Sequence, residues 1–410
     1  MIEVNKYTEI KYVAIDSNIG RNKDDLKILE DILENGAFEN KNLLCLQFDG
    51  KDNGVKDLLN SFSNLEIIKL NNKANSEDIK NIFQHFSGLE GQNTDNFQNK
   101  LKLGKKTLYL DAVSNSFIRK FESNQECPGF WNLAIGTFCR HSCTYCFLNL
   151  TMRMRPLSIE HINLSRLKTN LKSFNKKNSH DHVLLNAGES SDPLDNEPLL
   201  HLWNRIVELI RDSGNQILCL TKSDNVDSIP SLGDENLVNS VIYSWSINPE
   251  SVVQRYEPHT ASSENRLLAA KKLKDFGYRI RFRIDPILPL QFMEALSNGN
   301  NISLKDVDLD DYFTLIDKFS RIEPEMVTFG TFRALPPLFN FLIDKFFKKE
   351  YLIKNGKRFR MPKEFRHYIY EQLGTYTQDL LGCNIAICKD PSINLHFSTL
   401  KVPCQCMKIS

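Results

Sequence analysis

Cys139, Cys143 and Cys146 stand together in Gly136-Thr-Phe-Cys139-Arg-His-Ser-Cys143-Thr-Tyr-Cys146-Phe147. Three thiolates on one loop can hold three irons of a 4Fe–4S cluster and leave the fourth iron open. A cluster held by four cysteines usually only carries electrons, whereas an open iron is a place where a molecule can bind and react. Two plainer readings compete with this one. Zinc accepts thiolate and imidazole ligands, and His141 lies in the same loop as a fourth ligand. Zinc sites usually pair one knuckle with a second cysteine pair, however, and the later cysteines lie outside any zinc-finger spacing. The other reading is a cysteine cluster with a structural role alone. The spacing favours the iron–sulfur cluster. Trp131 and Phe138 would then shield it from water, or simply pack the strand before the loop.

Such a loop needs a rigid element on either side. Trp131–Ile135 reads as a strand leading into it, and further strands are expected at 182–187, 216–221, 240–247, 278–284 and 326–329. Helical patterns fill 159–174, 198–213, 262–276 and 309–319. Six such units fit a partial (β/α)6 barrel, whose chemistry belongs at the carboxyl ends of the strands. Upstream, strands at 12–15, 42–47, 65–70 and 107–110 alternate with helices at 23–36, 55–62 and 76–86, the pattern of a small α/β domain. Its loops carry no glycine-rich phosphate fingerprint. The Gly-, Asn- and Gln-rich stretch 88–99 is the best linker candidate. The expected organisation is an N-terminal α/β domain over 1–105, a partial barrel over 106–335 and a C-terminal extension over 336–410.

Composition bounds the rest. The chain has 410 residues, 41% apolar and 25% charged, which is ordinary for a globular protein. With 52 basic and 51 acidic residues the formal charge is +1, so contact with nucleic acid would need a local basic patch. No apolar run approaches membrane-spanning length, and Met1-Ile-Glu-Val-Asn lacks a signal-peptide pattern. A cytoplasmic protein with no membrane partner is expected. In that reducing compartment ten cysteines suggest metal ligands and free thiols more than disulfides.

Beyond the cysteines, a series of segments occurs in order: Cys146-Phe-Leu-Asn-Leu-Thr-Met152, Gly188-Glu-Ser-Ser-Asp192, Leu220-Thr-Lys222-Ser-Asp-Asn-Val226 and Ser244-Trp-Ser246-Ile-Asn248-Pro249. Tyr256-Glu-Pro-His-Thr260, Arg266-Leu267 and Phe282-Arg-Ile-Asp285-Pro286 continue it. Together they resemble the spore photoproduct lyase family of the radical S-adenosylmethionine (SAM) superfamily. That resemblance implies an open iron that chelates the amino and carboxylate groups of SAM. One electron, from a flavodoxin- or ferredoxin-type donor, then cleaves the sulfonium and releases a 5′-deoxyadenosyl radical. It further implies that Ser191, Lys222 and Ser246 contact SAM, with Tyr145 beside the adenosyl group and Asn248 adding a polar contact. Hydroxyls and a lysine suit the ribose, amino and carboxylate groups of that ligand. Without the resemblance, Lys222 reads as a solvated turn lysine and Ser246 as a strand serine.

Two positions depart from the family. Glu189 stands where true photoproduct lyases carry a cysteine that returns a hydrogen atom to the product radical, and a carboxyl O–H bond is too strong for that task. Phe147 removes a phenol from the same relay. Glu189 instead resembles the Gly-Gly-Glu element of the wider superfamily, whose carboxylate receives the SAM ammonium. Glu189 and Tyr145 are the catalytic candidates. Asp192, Glu257, Arg266 and Asp285 fall near strand ends; if buried they must be paired, for instance Arg266 with Glu257 or Asp285.

The extension adds two features. An Asn355-Gly356 turn signal lies within a basic, aromatic stretch, and Lys357, Arg358, Arg360 and Arg366 are candidates to hold DNA or RNA phosphates. The plain reading is a solvated lysine-rich surface. Cys383, Cys388, Cys404 and Cys406 can hold a second Fe–S cluster or zinc, supply a hydrogen-donating thiol, or be inert. Cys45, Cys127 and Cys219 read as ordinary thiols. The expected function is radical chemistry on a damaged or modified base in nucleic acid. The alternatives are radical modification of a peptide or small metabolite, and a non-catalytic metal-binding nucleic-acid protein.

Overall fold

A computed structural model describes residues 9–35, 38, 41–48, 54–70, 77–91, 97–122, 127–178, 183–196, 199–229, 235–297, 303–340, 352–355, 357–390, 393 and 407. The strands, in chain order, begin with β1 (Tyr12–Asp16), β2 (Asn42–Phe48), β3 (Leu65–Leu70) and β4 (Thr107–Asp111). There follow β5 (Ile118–Phe121), β6 (Phe130–Leu133), β7 (Gly136–Thr137), β8 (Ser158–His161), β9 (Leu184–Asn186) and β10 (Gln216–Thr221). The remainder are β11 (Val241–Ser246), β12 (Arg279–Ile287), β13 (Met326–Thr331), β14 (Arg333–Ala334), β15 (Ile353–Asn355), β16 (Arg358–Arg360) and β17 (Asn384–Ile387).

The first sheet has the order β3-β2-β1-β4-β8-β7, parallel except for β7 against β8. Every residue of β1 is buried, as expected of a parallel strand covered on both faces. Alternate side chains divide between two cores. Tyr12 and Ala14 pack with Ile82, Phe83 and Phe86 of the helix Glu77–Glu90. Val13 and Ile15 join the core that continues into the barrel. Of the linker expected at 88–99, both ends are helical: the first helix runs to Glu90 and a second, Phe97–Lys106, follows, with 92–96 outside the described residues.

The second sheet has the order β17-β13-β12-β11-β10-β9-β6-β5. From β6 to β17 its pairings are parallel, with antiparallel β5 at one edge. The alternation from β6 to β13 is the expected partial barrel, with helices such as Leu200–Asp212 and Ser263–Asp275 between strands. β11 is buried throughout.

Two expectations change here. The segment 159–174 is not helical from its start, because Ser158–His161 pairs parallel to β4 and completes the first sheet; the helix is Leu164–Asn178. The extension also supplies a parallel strand to the barrel. Helix Lys363–Leu381 ends at Gly382, whose φ of 60° is the left-handed conformation that glycine takes cheaply. The chain then enters β17, which pairs with β13 through Val327↔Ile385 and Phe329↔Ile387. The turn signal at Asn355-Gly356 corresponds to the antiparallel pair β15–β16, joined by β14. Among the described residues, no helix is long and apolar enough to cross a membrane.

Candidate active site

The carboxyl ends of β9 to β13 open on a cavity of about 530 Å³. Cys139, Cys143 and Cys146 form part of its wall. Their loop is held along its length. Phe138 has a φ of 68°, so the chain reverses just before Cys139, and its N–H donates to the Ser190 carbonyl at 2.7 Å. The Arg140 N–H donates to Asp195 at 2.7 Å, and Ser142 and Thr144 N–H groups donate to the carbonyls of Pro258 and Tyr256 at 3.0 and 2.9 Å. From the first lobe, the Lys105 ammonium donates to the carbonyls of both Cys139 and His141.

Burial raises the Cys139 thiol well above its ordinary pKa, with Asp195 and Asp192 adding to the effect, and burial pushes Cys143 up to about 12. Left alone, these are neutral thiols; a metal that binds them must displace their protons. Burial lowers the Lys105 pKa, while the three cysteines and, at longer range, Asp195 favour its charge; among the described residues no carboxylate lies within ion-pair distance of it. A buried cation of that kind calls for an anionic group at the loop. Thiolates bearing an iron–sulfur cluster answer to it, so the residues present fit such a group.

The zinc alternative has a geometric echo, since Cys139, His141 and Asp192 bring one ligand atom each within 4.8 Å of one another. Those groups are already engaged. The His141 Nδ1 lies 2.8 Å from the His259 carbonyl, and its Nε2 lies 3.2 Å from Asp192. Asp192 also accepts from Thr221 Oγ1 at 2.6 Å and from the Lys222 N–H at 2.7 Å. Burial would raise the Asp192 carboxyl, but these partners hold it below its usual range.

Across the cavity wall stand Tyr145, Glu189, Ser191, Lys222 and Ser246, five of the residues expected to hold SAM. Lys222 and Ser246 follow and end adjacent strands, and the ammonium donates to the serine hydroxyl. The same ammonium lies 5.9 Å from the centre of the Tyr145 ring. The Tyr145 hydroxyl donates to Glu257, which pairs with Arg266 at 2.7 Å in a fully buried ion pair. Burial opposes the Glu257 charge, yet Arg266, then Lys222, and hydrogen bonds from Tyr145 and Asn248 bring its pKa down to about 2.

Asn248 is not on the cavity wall. Its side-chain amide donates to Glu257 at 3.0 Å, beneath the site, where the whole residue is buried.

At the far wall Asp285 and Cys388, both marked in the chain, meet Arg283, Arg333 and Lys389, which the chain alone did not mark. Asp285 sits between Arg283 at 3.0 Å and Arg333 at 2.9 Å. Against the effect of burial, Arg333 and then Arg283 hold its carboxyl well below the usual range. Both guanidinium groups also donate to the Cys388 sulfur, at 2.6 and 3.2 Å. Lys389 lines the same wall, 3.9 Å from Glu189. No local motif marks this grouping, because its members come from β12, from the strand ends after β13 and from the turn after β17.

Of the basic residues of the extension, Lys357 is exposed and Arg358 lies on the cavity wall. Arg360 and Arg366 are not open to a polyanion. Arg360 is buried in the central strand of the three-stranded sheet, and Arg366 is buried against Asp390 while its Nε donates to the Met361 carbonyl at 2.9 Å. The four-cysteine second site also fails on geometry. Cys383 precedes the four-residue β17 and Cys388 follows it, and the five steps of extended chain between them span about 16 Å, too far for one metal centre. Cys404 and Cys406 lie outside the described residues.

The family description "Spore photoproduct lyase" matches residues 58–307, well over half of the chain. The chain belongs to the spore photoproduct lyase family. Among curated members, it is 26% identical over 170 residues to the spore photoproduct lyase of a Geobacillus species, covering 41% of this chain and 48% of that protein. The Bacillus subtilis spore photoproduct lyase is 26% identical over 169 residues, with the same coverage. The aligned stretch thus spans about half the length of these lyases. A solved spore photoproduct lyase complexed with dinucleoside spore photoproduct superposes with a TM-score of 0.65 at 16% identity, over 92% of this chain and 98% of that one. A lyase variant with bound AdoMet and the same dinucleoside gives 0.63 at 15% identity. At such identities the likeness is one of fold: the family's radical SAM partial barrel.

Proposed function

We propose that this chain is a radical SAM enzyme that acts on a damaged or modified base in nucleic acid. The observation that carries this reading is the convergence of Cys139, Cys143 and Cys146 with Glu189, Ser191, Lys222, Ser246 and Tyr145 on one cavity. Membership of the lyase family and the dinucleoside bound by its solved relative support the choice of substrate.

In this reading the three thiolates hold a 4Fe–4S cluster, which supplies an electron to cleave SAM when one is bound. The chain's own residues do the rest. Lys222 places a positive charge for the SAM carboxylate, and Ser246 holds that ammonium in line. Glu189 offers a carboxylate to the SAM ammonium. Tyr145 presents its ring to the cavity because its hydroxyl is fixed on Glu257, so the ring cannot turn away. Ser191 offers a hydroxyl to the ribose. Arg358 at the cavity wall and exposed Lys357 supply charge for phosphates. A flavodoxin- or ferredoxin-type protein is the proposed electron donor.

The test is anaerobic reconstitution followed by a SAM-cleavage assay with UV-damaged DNA, undamaged DNA and RNA. About four irons and four sulfides per chain, with 5′-deoxyadenosine released on reduction, are expected. Product formation specific to damaged DNA supports the substrate. SAM cleavage with no binding or reaction of photoproduct oligonucleotides would move the substrate to a peptide or small metabolite. Retained zinc without SAM cleavage would make the chain a non-catalytic metal-binding protein.

A further inference from the structure

The helix Phe97–Lys106 belongs to the first lobe by chain order, yet one of its faces is turned to the cysteine loop. Phe97, Leu101 and Lys105 recur every four residues and therefore lie on one stripe. Leu101 packs in a small separate core with Phe138 and Leu148, against which Phe97, Cys139 and Cys146 also rest. At the end of the stripe Lys105 donates to the Cys139 and His141 carbonyls, and its ammonium stands 4.2 Å over the Phe138 ring. Gly104 brings the helix close enough for this: a Cβ there would lie 1.5 Å from the Pro156 carbonyl oxygen. A lysine so deeply buried is rare without a paired acid; among the described residues none lies within ion-pair distance, and Asp195 acts on it only at longer range.

We infer that Lys105 is a positioning residue for the cluster: it fastens the cysteine loop through two carbonyls and offsets the negative charge that the loop gains when it holds a reduced 4Fe–4S centre. Reduction adds one electron to a group already bearing three thiolates, so a fixed, buried cation favours the reduced form over the oxidised one. Lys222, by contrast, lines the cavity proposed for SAM. The first lobe is thereby part of the electron-accepting site, through one stripe of one helix. This inference rests on the cluster reading of the proposed function.

The experiment uses the full chain, reconstituted anaerobically, as wild type, Lys105→Gln and Lys105→Met. Iron content, melting temperature before reconstitution and the midpoint potential by electron paramagnetic resonance titration are measured. Glutamine keeps a donor and loses the charge; methionine loses both. In Lys105→Gln, iron content near wild type is expected with the reduced-to-oxidised ratio at a fixed poise lowered about tenfold, or about 59 mV for one electron. In Lys105→Met, iron retention is expected to fall as well, with the melting temperature of the iron-free chain kept within a few degrees. Unchanged iron and unchanged potential in both variants overturn the inference. So does loss of the folded iron-free chain in both, which would make Lys105 a packing residue between the lobes. If the wild type itself takes up no cluster, the cluster reading has failed rather than the assignment of Lys105.

Discussion

At the scale of single residues, the site is ordered by buried charges that satisfy one another. Glu257 is the clearest case, fully buried and shared among Arg266, Lys222, Tyr145 and Asn248. Its folded pKa of about 2 lies below the unfolded value near 4.5. Its stabilising contribution, about 3 kcal/mol, is therefore complete above pH 4.5 and is lost as the pH falls towards 2. Glu257→Gln should be destabilised by about 3 kcal/mol or more at neutral pH, since Arg266 is left buried without its counter-charge. Thermal melts from pH 2 to 7 should also show a shallower acid limb than wild type; an unchanged limb would refute this account of Glu257. Cys388 illustrates a different point. Its sulfur is buried, accepts from two guanidinium groups and does not line the cavity, so it is not placed to give a hydrogen atom to a substrate there. Cys388→Ala is expected to lower stability by about 1–3 kcal/mol. It should also leave the coupling of SAM cleavage to product formation unchanged, as measured by the ratio of 5′-deoxyadenosine to product.

At the scale of elements, close backbone approaches decide what each piece contributes. In a solvated helix Gly104→Ala would gain about 1 kcal/mol of helix propensity. Here the added methyl meets a backbone carbonyl at 1.5 Å and the helix must move off, at a cost of about 1–3 kcal/mol or more. The clash wins, and Gly104→Ala is expected to melt lower and to retain less iron after reconstitution. β17 depends on its ends in a similar way. The buried Arg366–Asp390 pair anchors helix Lys363–Leu381 to the turn that carries Cys388 and Lys389. Asp390→Asn should cost about 3–5 kcal/mol in denaturant unfolding, because it strands a buried guanidinium. Amide exchange should accelerate first in β17; protection there equal to wild type would rule the anchor out.

At the scale of the whole molecule, a formal charge of +1 gives no long-range attraction to a polyanion. Two of the four expected phosphate ligands, Arg360 and Arg366, are consumed inside the fold. Of those four, exposed Lys357 and Arg358 on the cavity wall remain, and Lys389 lines the same cavity. Two or three phosphate contacts imply a salt dependence of log K on log salt with a slope of about −2 to −3. Anisotropy titrations of a labelled duplex across salt concentrations measure it, and a slope steeper than about −5 would point to a broad basic surface instead. The two sheets also share one core, with Val13 and Ile15 of β1 in the same cluster as Trp245 of β11. The lobes are consequently expected to unfold together.

The cysteine loop and the strands β6 and β9 to β13 were legible in the chain, because they rest on local spacing and on alternation that recurs within a few residues; β8 was read as the start of a helix, and which acid pairs with Arg266 was left open. Ser191, Lys222 and Ser246 could be named only through the family resemblance, since by themselves Lys222 reads as a turn lysine and Ser246 as a strand serine. What packing alone decided is everything that depends on distant segments meeting. Arg360 and Arg366 look like surface cations in a basic stretch, and only burial against other segments turned them inward. Cys383 and Cys388 look like a metal pair, until an intervening strand holds them apart. Lys105 carries no motif at all; it became part of the cysteine loop's surroundings because a glycine one residue earlier lets its helix approach another backbone. Spacing along the chain determined which cysteines share one loop, and the tertiary structure decided which charges surround that loop, since burial and pairing are properties of neighbours that no local window contains.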